Sequence, residues 1–221
     1  MPFLIAAVLL IAVIGSIWGA IQARKRQEGL FALSQRLNLG FDPGENYQIA
    51  GRFEFLKELA QGDNRYATNV LSGNYQQNEI LAFDYHYETY TQTKNGRQTQ
   101  HHWFSFFILT LPAFFPDLTI RRENFFTKVA EVFGNDDINF ESAEFSKTFC
   151  VRSPDRKFAY DVCNAQMIEY LLANRDLSVE IENNVLALAF TTRLSPEQIE
   201  TNLQRLVEIR TRLPEYLFTN S

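Results

Sequence analysis

The chain has 221 residues and a formal net charge of −5, from 21 basic and 26 acidic side chains. This length suits one sizeable core or two small ones, and the acidic balance leaves no basic stripe for nucleic acid. The sequence therefore predicts no nucleic-acid partner, and its two cysteines are too few for a disulfide framework.

The first predicted element is an apolar helix at the N-terminus. From Pro2 to Ile21 there is no charged side chain, and Arg24, Lys25 and Arg26 follow at once. A helix of about 20 apolar residues crosses a bilayer core. The run is too long for a signal peptide, basic residues occupy the cleavage position, and no cysteine offers a lipoprotein anchor. The pattern predicts an uncleaved transmembrane helix over residues 1–23.

The basic residues beside this run predict its orientation. Lysine and arginine close to a membrane-spanning end stay on the cytoplasmic side. Arg24, Lys25 and Arg26 follow the run and none precedes it, so the N-terminus is expected outside and the remaining domain in the cytoplasm. We interpret the three as membrane-proximal basic residues that contact lipid headgroups, which makes the lipid bilayer a partner.

A stripe of small residues lies on the same helix. Gly15, Ser16, Gly19 and Ala20 have the spacing at which two helices approach closely in a membrane. The alternative is that small residues are simply common in spanning helices. The stripe is a candidate helix-dimer face, and self-association is one expected kind of partnership.

Residues 24–50 are predicted to form a basic juxtamembrane segment with an amphipathic helix. Leu30, Leu33 and Leu37 make one apolar stripe, and Gly40 and Pro43 indicate its end. A second short helix is predicted over 52–59.

The middle of the chain is predicted to form β-strands. Strands are predicted over 67–75, 79–90 and 98–111, with a short one near 118–121. Asn95-Gly96 is predicted to be the two-residue loop of a hairpin, since both residues tolerate positive φ in a type I′ turn. Pro112 and Pro116 are expected to end the third strand.

The C-terminal half mixes helices and hairpins. Helices are predicted over 124–133 and 164–173, and hairpins over 143–162 and 177–190 with turns at 153–155 and 183–184. Ser195, Pro196 and Gln198 form a capping box before a long amphipathic helix. We therefore predict an α+β fold: a single N-terminal transmembrane helix, then a mainly antiparallel β-sheet domain with packed helices and a long C-terminal helix. The soluble domain is expected over 51–221, with two subdomains divided near 122–140 as an alternative.

The three histidines raise the question of a metal site. If Asn95-Gly96 is the loop, His86 faces Ser105 and His101 faces Tyr90. The two rings then lie about 13 Å apart along the strands, and His102 points to the other face of the sheet. This register predicts no metal site, and a shared site would need a bulge or another register.

Other chemical groups give no catalytic or cofactor signature. Cys150 and Cys163 lack a C-x-x-C spacing, and buried small hydrophobes are the better interpretation. The acidic run at 135–137, with Glu141 and Glu144, lacks the ligand pattern of a calcium loop, so a solvated loop is preferred. We therefore predict no catalytic, cofactor-binding or metal-binding residues.

A basic turn follows these acidic residues. Arg152, Arg156 and Lys157 surround Ser153-Pro154 at the tip of a predicted hairpin. A charged, soluble turn is the preferred interpretation. The alternative is a contact for lipid phosphate or an acidic partner.

Several segments together resemble a known family. They are Gly62-Asp63, Asn69–Tyr75, Phe83–Tyr85, Asp137–Ser142 with Phe145, and Val151–Asp161. They resemble a family of uncharacterised bacterial proteins that have one N-terminal membrane span and a domain of unknown function. The resemblance implies a single-pass protein of the bacterial inner (plasma) membrane, and it brings no catalytic residue or cofactor.

Two functions follow as hypotheses. The first is a non-enzymatic, membrane-tethered cytoplasmic domain that serves as a protein-interaction or assembly module. The second is a lipid- or small-ligand-binding domain at the membrane surface, with the aromatic-rich sheet as a pocket. An apolar pocket with a few polar groups would favour the ligand, and a flat apolar patch would favour the protein partner.

Overall fold

The computed structural model describes residues 2–93, 96–122 and 137–219, with side chains from residue 15 onward. Within these ranges the chain folds into one six-stranded antiparallel sheet flanked by helices. The predicted helix over 124–133 lies outside the described residues. Strands before and after residues 123–136 belong to the same sheet, because the strand that ends at Arg122 pairs with both Phe149–Arg152 and Val179–Ala189. The strands are β1 (Gly40–Asp42), β2 (Asp63–Tyr75), β3 (Asn78–Thr93), β4 (Gly96–Arg122), β5 (Phe149–Arg152) and β6 (Val179–Ala189).

The sheet is organised around its longest strand. The strand order is β1-β2-β3-β4-β5. β3 and β5 pair with one edge of the long strand β4, and β6 pairs with its opposite edge. The helices pack on this sheet or on one another. They are α1 (Pro2–Leu37), α2 (Tyr47–Arg52), α3 (Ala143–Thr148), α4 (Arg156–Val162), α5 (Ala165–Ala173), α6 (Pro196–Arg212) and α7 (Tyr216–Thr219).

Each face of the central part of the sheet carries a hydrophobic core, and alternate side chains of β4 point into one core or the other. Phe107 and Leu109 join a large core that includes residues of α1, α5 and α6. Phe106 and Ile108 join a second core formed with α2 and the turns that follow it. The abundant aromatic residues are therefore largely core residues, as their preference for pleated surfaces predicts.

The N-terminal helix differs from the predicted membrane span. α1 continues past the basic residues to Leu37 and buries Leu30 and Leu33 in the core of the domain. The side chains of residues 1–14, which carry much of the apolar run, lie outside the described part. Within the described part, no helix is long and apolar enough to cross a bilayer. This finding contradicts the transmembrane helix predicted over residues 1–23 and the single-pass description that rests on it.

β4 runs through the two prolines that were expected to end it. Its pairing with β6 shifts between Thr110 and Phe115, and again between Phe115 and Leu118. Pro112 and Pro116 lie in these irregular stretches, where a missing N–H costs little. The prediction was wrong because a bulge lets a strand continue past a proline.

Two predicted hairpins are replaced by other structure. The turn before Arg156 leads into α4, where the Asp155 side chain accepts a hydrogen bond from the Phe158 amide at 3.0 Å. The Asn183-Asn184 pair lies inside the continuous strand β6, with Asn183 at φ 54° opposite Phe115. Aspartate and asparagine suit turns, helix caps and bulges alike, so turn chemistry alone misassigned both segments.

The predicted caps of the last two long helices are confirmed. The Asn164 side chain accepts from the Met167 amide at 3.1 Å and begins α5. At α6 the Gln198 amide donates to Ser195 Oγ at 3.3 Å, and the Ser195 amide donates to Gln198 Oε1 at 2.9 Å. This reciprocal pair is the capping box read from the sequence.

Candidate functional site

An apolar cleft opens beside α5 on the helical side of the domain. Its volume is about 590 Å³, within the roughly 300–1,000 Å³ typical of ligand sites. Three structural segments contribute its walls: the chain before α3, the end of α4 and one side of α5. The lining residues are Phe140, Glu141, Ser142, Tyr160, Cys163, Ala165, Ile168, Glu169 and Leu172.

The apolar walls are held by helix geometry and ring packing. Ile168 and Leu172 are four residues apart on α5 and so share one face. The rings of Phe140 and Tyr160 meet edge to face with centroids 5.2 Å apart, and Tyr160 Oη donates to the Asn139 carbonyl at 3.2 Å. Phe140, Ile168 and Leu172 are half-buried and pack on the main core. The cleft is thus a continuation of the core to the surface.

The polar groups of the cleft are few. Glu141, Ser142 and Glu169 provide two carboxyl groups and one hydroxyl on its lining. Ser142 Oγ also accepts from the Phe145 amide at 3.3 Å and caps α3. Carboxylate oxygens accept hydrogen bonds, so this lining suits a ligand that donates them.

Both cysteines are free thiols that are buried in the domain. Burial raises the pKa of the Cys163 thiol, on the cleft wall, to about 12. Burial, helped by a hydrogen bond to Asp137 at 2.6 Å, also raises the pKa of Cys150 to about 12. Both thiols are therefore protonated at neutral pH, and reactivity belongs to the thiolate.

The predicted basic cluster is divided by the fold. Arg24 is exposed and pairs with Glu28 on its own helix at 3.0 Å, and Lys25 is also exposed. Arg26 instead turns toward the sheet and binds Asp84, with Nη2 2.6 Å from Oδ1 and Nε 3.1 Å from Oδ2. Arg26 thus ties α1 to β3, and Arg24 and Lys25 are the members of the cluster that face solvent.

The small-residue stripe lies on the exposed part of α1. Gly15, Ser16, Gly19 and Ala20 are all exposed. A Cβ atom added at Gly15 or Gly19 would meet nothing within 4 Å. Helix pairing through this face stays a prediction.

The predicted anion contact is only partly available. Arg152 Nε donates to Asp137 Oδ1 at 2.8 Å, so this guanidinium serves the domain itself. Arg156 and Lys157 are exposed at the start of α4, and Lys157 Nζ donates to Asp161 at 2.8 Å. Of the acidic run, residues 135–136 lie outside the described part, Asp137 binds Arg152, and Glu144 pairs with Arg175.

The histidines occupy positions that the sequence register did not predict. Thr93 pairs with Gly96, so the connection is residues 94–95, which the structure does not describe, and Gly96 lies in β4 at φ 119°. The register therefore shifts by two residues, so that His86 faces Trp103 and His101 faces Glu88. His86 and His101 become close neighbours on one face, and the predicted separation of about 13 Å is wrong.

The fold also forms a buried polar cluster around Arg121 that the sequence did not predict. Arg121 is buried, with Nη1 2.5 Å from Glu58 Oε1 and Nη2 3.6 Å from Glu180 Oε2. Burial raises the pKa of Glu180, and burial with the nearby Asp117 and Glu180 raises that of Glu182 to about 7. Alternating polar positions in β4 and β6 were the only available signal, since sheet pairing alone brings these side chains together.

Comparison with known proteins identifies the fold without identifying a family. No family model matches the sequence, and no curated protein matches it significantly. Among solved structures, the chain is similar to the mycobacterial trehalose monomycolate transport factor A, TtfA, with a TM-score of 0.62. The alignment covers 86% of this chain and 97% of that one at 13% identity. Such a likeness establishes a shared fold.

Proposed function

We propose that this chain is a lipid-binding domain that holds an acyl chain in the cleft beside α5. The observation that carries the proposal is the cleft itself, whose walls of Phe140, Ile168 and Leu172 extend the core to the surface. Burying an acyl chain against such walls gains about 0.8 kcal/mol per methylene group. A cleft of this size and lining therefore suits a lipid tail.

The polar lining indicates which headgroup fits. Glu141 and Glu169 would repel an anionic headgroup and accept hydrogen bonds from hydroxyl groups. A neutral, hydroxyl-bearing lipid is therefore preferred over a fatty acid. The fold likeness to a protein named for the transport of a lipid, trehalose monomycolate, supports a lipid as the ligand class.

The exposed part of α1 supports contact with a lipid surface. Ile17, Trp18 and Ile21 are large, apolar and about half exposed or more. Arg24 and Lys25 follow on the same helix and face solvent. Apolar side chains beside basic ones are typical of helices that lie on anionic membranes. This arrangement needs no span, and it supports the ligand hypothesis over the protein-interaction module.

The test fills the cleft without removing any core side chain. Ala165 is exposed on α5 and lines the cleft, and Ala173 is exposed at the other end of the same helix. A fluorescent long-chain alcohol should bind the intact chain, and Ala165→Trp should weaken its binding at least about tenfold, because the indole occupies the space of several methylenes.

Ala173→Trp is the matched control and should leave the affinity unchanged. The corresponding fatty acid should bind more weakly than the alcohol to the unmodified chain. Equal effects of the two tryptophan substitutions, or no binding of either probe, would contradict the proposal.

A further inference from the structure

Three metal-ligating side chains meet on one face of the β3–β4 hairpin. Nε2 of His86 lies 3.1 Å from Nδ1 of His101, which lies 3.5 Å from Oε1 of Glu88. One donor atom from each of the three residues lies within 4.8 Å of the others. Zinc–nitrogen bonds of about 2.0–2.1 Å place two ligands of a tetrahedral ion about 3.3 Å apart. The observed donor-atom separations of 3.1 and 3.5 Å lie just below and just above this distance.

The neighbours of these side chains orient them as ligands. Nδ1 of His86 lies 3.1 Å from the Asn64 carbonyl oxygen. A carbonyl can only accept, so Nδ1 carries a proton, and in the neutral ring Nε2, on the side of His101, keeps the lone pair that binds a metal ion. Metal-binding histidines typically donate their other N–H in this way.

Glu88 is held equally firmly. Asn64 Nδ2 donates to its Oε1 at 2.7 Å, and Tyr90 Oη donates to its Oε2 at 2.9 Å. These two hydrogen bonds lower the pKa of Glu88, and each carboxylate oxygen keeps a further lone pair that can bind an ion. Asn64 therefore supports two of the three ligands, through its carbonyl and its side chain.

The cluster is buried on one side and open on the other. The His86 ring packs against Tyr66 and Trp103, with centroids 4.6 and 4.5 Å away. The His101 side chain is 58% exposed. An ion could enter from the His101 side, and no fourth histidine, cysteine or carboxylate from the described residues joins the group.

We propose that His86, Glu88 and His101 bind a divalent transition-metal ion of the zinc class. Two imidazoles and one carboxylate form a donor set that suits such an ion and leaves a position for water or an external ligand. The competing explanation is a hydrogen bond from His101 Nδ1–H to His86 Nε2 with no ion involved. If the three residues form a metal site, the chain binds one equivalent of metal ion there. If they form only a hydrogen bond, it binds none at these residues.

The test is titration of the untagged, full-length, metal-free chain with Co²⁺, followed by displacement with Zn²⁺. One equivalent of Co²⁺ should produce visible d–d absorption, and Zn²⁺ should abolish it. His101→Ala should weaken binding more than about 100-fold, because losing a ligand costs more than losing an outer partner. Because the His101 side chain is largely exposed, the substitution removes no core packing, and circular dichroism checks that the variant is folded.

His102→Ala is the matched control on the same strand. His102 points to the opposite face and hydrogen-bonds Thr89 at 2.8 Å, so this variant should bind metal normally. Asn64→Gly tolerates the φ of 47° at this position and should weaken binding about 10–100-fold. Absence of stoichiometric binding, or equal losses in the His101 and His102 variants, would overturn the proposal.

Discussion

At the scale of single residues, the ion pair between α1 and the sheet has a large expected effect on the free energy of unfolding. Asp84 is 1% exposed and accepts from Arg26, from Ser105 Oγ at 2.9 Å and from Asn69 Nδ2 at 3.1 Å. Asp84→Ala would leave a poorly exposed guanidinium without its carboxylate, which typically costs about 3–5 kcal/mol. Urea denaturation of the variant should show a loss of this size.

The matched control is the more exposed pair Arg36–Glu200, which joins α1 to α6 at 2.6 Å. Glu200→Ala should cost at most about 1 kcal/mol, because exposed pairs contribute little. Similar losses in the two variants would mean that the Arg26 pair is not buried as described.

At the scale of secondary-structure elements, local signals predicted caps and regular strands but not irregular strands. The caps of α5 and α6 depend on neighbours within four residues, so sequence alone sufficed. β6 continues through Asn183, and β4 continues through Pro112, only because each strand is held by the other. Such tertiary support overrides turn propensity and leaves no local signature.

The exposed end of α1 permits a prediction for the whole element. Trp18 is 65% exposed, and burying a large apolar side chain gains roughly 1.5–3 kcal/mol. Trp18→Ser should therefore weaken binding to anionic phospholipid vesicles about tenfold or more in co-sedimentation. Phe114→Ser, at an aromatic residue of β4 that is even more exposed, should not weaken this binding. Identical behaviour of the two variants would argue against α1 as the lipid contact.

At the scale of the whole molecule, the candidate sites depended on long-range register. A hairpin loop placed one position too late displaced every facing pair and separated His86 from His101. The cleft beside α5 joins segments more than twenty residues apart, Phe140 and Leu172 among them. Composition predicted the sheet and the aromatic core, whereas the positions that meet in a site required the packed structure.

The half-buried carboxyl group of Glu182 makes the stability of the whole domain depend on pH. The pKa of Glu182 is raised from its usual 4.5 to about 7 in the folded chain, so the folded state holds this proton more tightly than the unfolded state. The contribution of Glu182 to stability is therefore fully present below about pH 4.5 and is lost as the pH rises toward 7. Glu182→Gln should raise the melting temperature at pH 8 and change it little at pH 4.5.

Glu197 is expected to change stability in the opposite direction, because a hydrogen bond from Ser195 lowers its pKa. Glu197→Gln should therefore lower the melting temperature at pH 8. Thermal unfolding of both variants across this range checks the pair, and a Glu182→Gln curve parallel to that of the unmodified chain would show that Glu182 titrates normally.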